Sequence, residues 1–181
     1  GNAHFTTRES IQLHWVVLED VSEILRNLAE VGMTSREACG NSVRNVMCSP
    51  LAGVCSNEKF DSTPYALATA KFFLRNPMTQ ALPRKFKFNF TCCEKHGMAR
   101  IVDVGLIPHT REVDGTIQRG FKIFLGGGLG NKSFVGHLLE EFTPEDDLLY
   151  TSIAVVRLFD RLGDRINLAR NRMRYLVNEM G

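Results

Sequence analysis

Residues 84–90 read Arg84-Lys85-Phe86-Lys87-Phe88-Asn89-Phe90, a regular alternation of basic or polar with aromatic side chains. Side chains along a strand point alternately to opposite faces. The stretch therefore predicts a strand, introduced by Pro83, with Phe86, Phe88 and Phe90 on one face beside Arg84. Lys85, Lys87 and Asn89 take the other face. Two ammonium groups aimed the same way stand ~7 Å apart by strand rise. That arrangement is repulsive unless an anion or carboxylate lies between them. The bland alternative is a solvated lysine face.

Working outward, Thr63-Pro64 opens a predicted helix that ends near Arg75, before Asn76-Pro77, as proline favours the first helical position and disfavours helix just before it. On the other side, ARIVDVGLI and GFKIFLG predict two strands joined by a turn at Asp114-Gly115. The FLGGGLG that follows lacks both the P-loop ending and dinucleotide-fingerprint spacing, so a tight turn or close backbone approach is expected. Two helices, from Pro144 to about Leu162 and from Ile166 to Met180, are predicted to close the chain.

At the other end, Phe5 to Leu18 is rich in β-branched and aromatic residues and predicts one continuous strand. Arg8, Gln12 and His14 would then share a face. Val21, Ile24, Leu25, Leu28 and Val31 recur at helical spacing, with Asp20 as the expected cap and Gly32 as the stop. Residues 33–62 read as an irregular, loop-like stretch, the kind that carries function when it lies inside a compact domain. The fold class expected is α+β, a mixed α/β arrangement.

Composition narrows the function. The formal net charge of +2 is too small to argue for nucleic acid or a membrane surface. Phe86, Phe88 and Phe90 also alternate away from the lysines, unlike an aromatic-and-basic nucleic-acid face. No basic segment followed by an apolar run opens the sequence, and no apolar run approaches ~20 residues. With an odd cysteine count of five, a reducing, cytoplasmic setting is expected rather than a disulfide framework. Cys48 and Cys55 are six residues apart and Cys92 adjoins Cys93. Neither gap is that of a structural zinc site, so buried thiols and no metal ligands are expected. His96 and His109 read as surface residues.

Five segments in order carry a family resemblance: FTTRESIQLH, ACGNSVRNVMCSPLAGVC, LPRKFKFNF, GFKIFLGGGLG and VVRLFDRLGDRINLARNRMRYLV. Together they resemble the sulfite/nitrite reductases, enzymes that couple siroheme to a 4Fe-4S cluster. The resemblance implies a partial ferredoxin-like lobe over 1–32 and a larger α/β siroheme-reductase domain with C-terminal helices over 33–181. Such enzymes consist of two similar halves. The absence of a C-x5-C, C-x3-C pattern implies the first half, with the cluster held by the other half and not by this chain. The opening strand of the lobe is absent and His4 stands where some members have arginine, which implies a fragment or one piece of a split enzyme.

By motif, the resemblance implies that Arg8, Gln12 and Arg84 bind siroheme. Arg44, Lys85 and Lys87 are implied to face the substrate oxyanion and help deliver protons. The implied activity is six-electron reduction of sulfite to sulfide or of nitrite to ammonia, with ferredoxin or a flavoprotein as electron donor and the second half as partner. The rival expectation is a degenerate half kept as a scaffold or oligomerisation module.

Overall fold

In the computed structural model, which describes residues 1–130 and 132–181, the chain is a mixed α/β structure built on two sheets. The elements are β1 (Asn2–Phe5), β2 (Ile11–His14), α1 (Val21–Glu30), β3 (Val43–Cys48), α2 (Thr63–Phe73) and β4 (Phe86–Phe90). They continue with β5 (Val104–Val113), β6 (Thr116–Leu125), β7 (His137–Pro144), α3 (Leu148–Leu162) and α4 (Met173–Met180). β1 and β2 form a two-stranded antiparallel sheet. The larger sheet has the order β3-β4-β5-β6-β7, with β3, β4 and β5 parallel and the rest antiparallel.

The alternation in β4 decides where the core lies. Phe86, Phe88 and Phe90 are fully buried. Phe88 stacks on Phe73 of α2 at 5.3 Å, and Phe86 meets Phe159 of α3 at 5.4 Å. One face of the sheet is thus covered by helices through aromatic pairs, each worth ~0.5–1.5 kcal/mol beyond area burial. Lys87 and Asn89 are left on the opposite face. Asp114 and Gly115 both take positive φ (51° and 74°) and join β5 to β6, the geometry that Asp-Gly favours in a tight hairpin.

Backbone approach is closest at Gly105 in β5. A Cβ there would lie 1.8 Å from the carbonyl oxygen of Ala99, in the short 3-10 helix Met98–Ile101. Gly105→Ala is expected to destabilise the chain by about 3 kcal/mol, roughly 10 °C in Tm. A thermal midpoint equal to the parent's would show that this packing is wrong. The glycine loop is also a close-approach element: a Cβ on Gly127 would stand 2.3 Å from the Arg100 carbonyl.

Several expectations are corrected. Residues 5–18 are not one strand: β1 and β2 form a hairpin over 2–14, because Thr6 Oγ1 accepts from Arg8 N and Ser10 N and closes a turn, with Glu9 at φ 54°. Arg8 therefore sits in a turn and does not share a strand face with Gln12. Asp20 makes no side-chain cap, since a 3-10 turn at Leu18–Asp20 already carries it into helical geometry. The stretch 33–62 contains β3. Pro144 ends a strand, β7, and α3 begins only at Leu148. The last helix starts at Met173 rather than Ile166, because the Asp164 carboxylate accepts from Ile166 N and Asn167 N and holds a turn.

Among the described residues, no helix is long and apolar enough to cross a membrane.

Candidate functional site

Parallel pairing of β3 with β4 slips register between Val43 and Val46. A slip leaves carbonyls without ladder partners, and Arg8 supplies them from the hairpin turn. Its Nε donates to Asn45 Oδ1 at 3.1 Å, and its Nη2 donates to Asn45 O at 3.4 Å and Phe88 O at 3.1 Å. Asn45 Nδ2 donates in return to Arg8 O at 2.6 Å. Arg8 is thus a clamp between the hairpin and the large sheet.

Beside the clamp lies a cavity of about 460 Å³, lined in part by Arg8, Gln12, Arg44, Lys87 and Glu37. Four of the six residues singled out in the sequence meet there. Arg84 and Lys85 line a separate pocket of about 330 Å³ with Arg172 and Arg174. Arg44 Nε donates to Gly40 O at 3.0 Å. Among the described residues, Arg8, Arg44, Arg84, Lys85 and Lys87 form no ion pair. Glu37, the one carboxylate lining the larger cavity among the described residues, accepts instead from Arg75 N and Gln80 Nε2, both at 2.7 Å.

The cations act on one another. Burial, then the charges of Arg8, Arg172 and Lys85, hold Lys87 down to about 8. Burial, then Arg172, Arg44 and Arg84, also lower Lys85. One buried carboxylate opposes them, and no local pattern in the sequence announces it. Asp103 is fully buried and takes both its oxygens to Arg172 Nη2 at 3.0 Å. Burial pushes the Asp103 carboxyl up, while Arg172, then Lys87 and Arg8, pull it down.

A second group stands near the end of β4. Cys55, Cys92, Cys93 and His96 bring one ligating atom each to within 4.8 Å of one another. Cys55 Sγ lies 3.7 Å from Cys93 Sγ and 3.7 Å from His96 Nε2. The backbone N–H of Asn57, with further hydrogen bonds from Cys92, His96 and Cys93, holds the Cys55 thiol at about 7. Burial pushes Cys92 up to about 11. One signal for this group was present in the sequence: Cys93 and His96 are two residues apart, a chelating gap.

The comparisons with known proteins agree with one another. The family model described as "Nitrite and sulphite reductase 4Fe-4S domain" matches residues 39–181, and "Nitrite/Sulfite reductase ferredoxin-like half domain" matches residues 1–31. An assimilatory ferredoxin-dependent nitrite reductase of Haloferax mediterranei is 38% identical over 100% of this chain and 31% of its own length. A sulfite reductase (ferredoxin) of Mycolicibacterium paratuberculosis is 33% identical over 99% of this chain and 32% of its own. The solved structure of the Mycobacterium tuberculosis NirA protein superposes with a TM-score of 0.89 at 30% identity, over 99% of this chain and 32% of that one. The chain spans about a third of the length of the relatives it matches.

These findings correct the cofactor expectation. The expectation that this chain carries no metal ligands, with the cluster left entirely to another half, is overturned: the matching domain is described as the 4Fe-4S one, and three cysteines and a histidine that could hold a metal gather within this chain. Gaps between neighbouring cysteines gave no sign of it, because the fold brings Cys55 to Cys93 across 38 positions. His96, expected at the surface, belongs to the same group. With the mixed α/β fold and the two family models covering its length, the chain belongs to the nitrite and sulphite reductase family.

Proposed function

We propose that this chain forms part of a siroheme-dependent nitrite or sulfite reductase and lines the site where siroheme and the substrate oxyanion bind. This reading is supported by the set of cations around the cavity that, among the described residues, form no ion pair with a carboxylate. A tetrapyrrole rich in carboxylates, together with a small oxyanion, supplies the negative charge that such a set lacks. The donor set fits the group chemically. When bound, siroheme would supply the electron chemistry of the reduction.

The chain's own residues bind, orient and donate protons. Arg8, Gln12 and Arg84 hold siroheme carboxylates in this reading. Arg44, Lys85 and Lys87 take the oxyanion, and Lys87, at about 8, is protonated yet ready to give up its proton near neutral pH. Residues 1–32 serve as a ferredoxin-like lobe and 33–181 as the siroheme domain. The remaining parts of the reductase and an electron donor are the partners. Ferredoxin is the donor class favoured, since the Haloferax relative is named for it.

Arg84 and Arg8 separate binding from folding. Among the described residues Arg84 is in no ion pair, whereas Arg8 holds three acceptors. In the complete reductase, Arg84→Met is expected to lower siroheme content with little change in Tm. Arg8→Met is expected to lower siroheme content and Tm together, by about 1–3 kcal/mol for unpaired carbonyls. Siroheme absorbance per protein and thermal melts read both. Full siroheme occupancy in both variants would contradict the proposal.

A further inference from the structure

Cys55 reaches the cysteine and histidine group from the loop after β3, while Cys92, Cys93 and His96 follow β4 directly. A short 3-10 helix, Glu94–His96, separates Cys93 from His96, and Gly97 at φ 45° ends it. This turn brings a thiol and an imidazole two residues apart to the same point. β3 and β4 are parallel neighbours, with Cys48 opposite Phe90. The loops leaving their C-terminal ends therefore meet, and the group is closed by the sheet's own topology.

The separations fit one ion rather than a multi-iron cluster. Four ligands arranged tetrahedrally on one ion, with metal–sulfur bonds of ~2.3 Å, stand ~3.8 Å apart. The observed Cys55 Sγ–Cys93 Sγ and Cys55 Sγ–His96 Nε2 separations are both 3.7 Å, and no pair of the four atoms exceeds 4.8 Å. That is the spacing of four ligands on a single ion. Three thiolates and one imidazole are a donor set that zinc takes.

We infer that Cys55, Cys92, Cys93 and His96 bind a single tetrahedrally coordinated ion of the Zn2+ class, fastening the loop after β3 to the turn after β4. His96 also lines a pocket of about 390 Å³ shared with Ser49, Asn89 and Thr91, which gives an ion a path to the site. Ser49 Oγ donates to Cys92 Sγ at 3.5 Å and orients that sulfur from behind. The ion holds the two loops that flank β4, the strand carrying Lys87, and so stiffens the wall of the oxyanion cavity from its far end.

Titration of the metal-free 181-residue chain with Co2+ under reducing, anaerobic conditions tests this. The expected result is about one Co2+ per chain, with the intense visible bands of a tetrahedral thiolate site, displaced by Zn2+. Cys55→Ser and His96→Ala should each weaken Co2+ binding by more than about 100-fold, since even outer partners of metal ligands are worth 10–100-fold. Cys39→Ser, at a cysteine outside the group, should bind as the parent does. Far-UV circular dichroism confirms that the variants fold. Two outcomes overturn the inference. One is the absence of tetrahedral Co2+ bands in the folded parent chain. The other is reconstitution with iron and sulfide that gives acid-labile sulfide lost in Cys55→Ser, which would assign the group to an iron–sulfur cubane.

Discussion

Lys87→Met in the complete reductase is expected to slow turnover of nitrite or sulfite by about 10²–10⁴-fold and to weaken oxyanion binding by about 10–100-fold, while siroheme is retained. Methionine keeps the apolar stem and removes the charge. The binding loss corresponds to one charge-assisted hydrogen bond, ~1.5–3 kcal/mol. The larger kinetic loss reflects a proton donor needed in the transition state. A pH signature accompanies it. The ammonium titrates at about 8 because burial and the neighbouring cations disfavour its charge. The protonated form is the donor, so parent turnover should fall as pH rises through about 8, and the variant should lack that limb. The same shift has a folding consequence. The folded chain holds this proton less tightly than an unfolded lysine at 10.5, so without a bound anion stability should rise as pH rises above about 8. Steady-state rates and thermal melts across this range check both.

Asp103→Ala is expected to have the largest effect on stability, about 3–5 kcal/mol, or roughly 10 °C or more in Tm. The carboxylate is fully buried and its two oxygens accept from Arg172 at 3.0 Å. Removing it leaves Arg172 half-buried and uncompensated, beside Lys87 and Arg8, whose charges it also offsets. Oxyanion binding should tighten per folded molecule, because Lys87 and Arg8 lose a buried negative charge that offsets theirs, even as the fold weakens. Calorimetry on the isolated chain gives the first quantity. A midpoint within 2–4 °C of the parent, worth roughly 1 kcal/mol, would show that the pair is not holding β5 to the segment before α4.

What the sequence shows and hides follows from the range of each interaction. The faces of β4 were legible because alternation is local and three phenylalanines had to be buried. The β5–β6 hairpin was legible because Asp114-Gly115 is nearly a complete instruction for a turn. β3 was not, because its register slip at Arg44-Asn45 breaks the alternation that would have announced it. The hairpin at the start reads as one strand because β-branched and aromatic residues stand on both sides of its turn, and only the hydrogen bonds accepted by Thr6 Oγ1 show otherwise. At the site, the motifs named six residues; one cavity brings Arg8, Gln12, Arg44 and Lys87 together, while Arg84 and Lys85 line another. Asp103 and Arg172 lie 69 positions apart, and no spacing rule reaches that far. The group of three thiols and an imidazole was half-visible: Cys93 and His96 carry a chelating gap, while Cys55 joins them only through the parallel pairing of β3 and β4.

In this reading, cations of this chain that form no ion pair among the described residues hold the oxyanion in a siroheme reductase. Anion titration of the complete, siroheme-loaded reductase, followed through the siroheme absorption bands, compares the parent with Arg44→Met/Lys87→Met. The double variant is expected to keep its siroheme bands and to lose at least about 100-fold in affinity for nitrite and sulfite, two charge-assisted contacts being removed. Parent-like affinity for both anions, with siroheme bound and the fold intact, would contradict it.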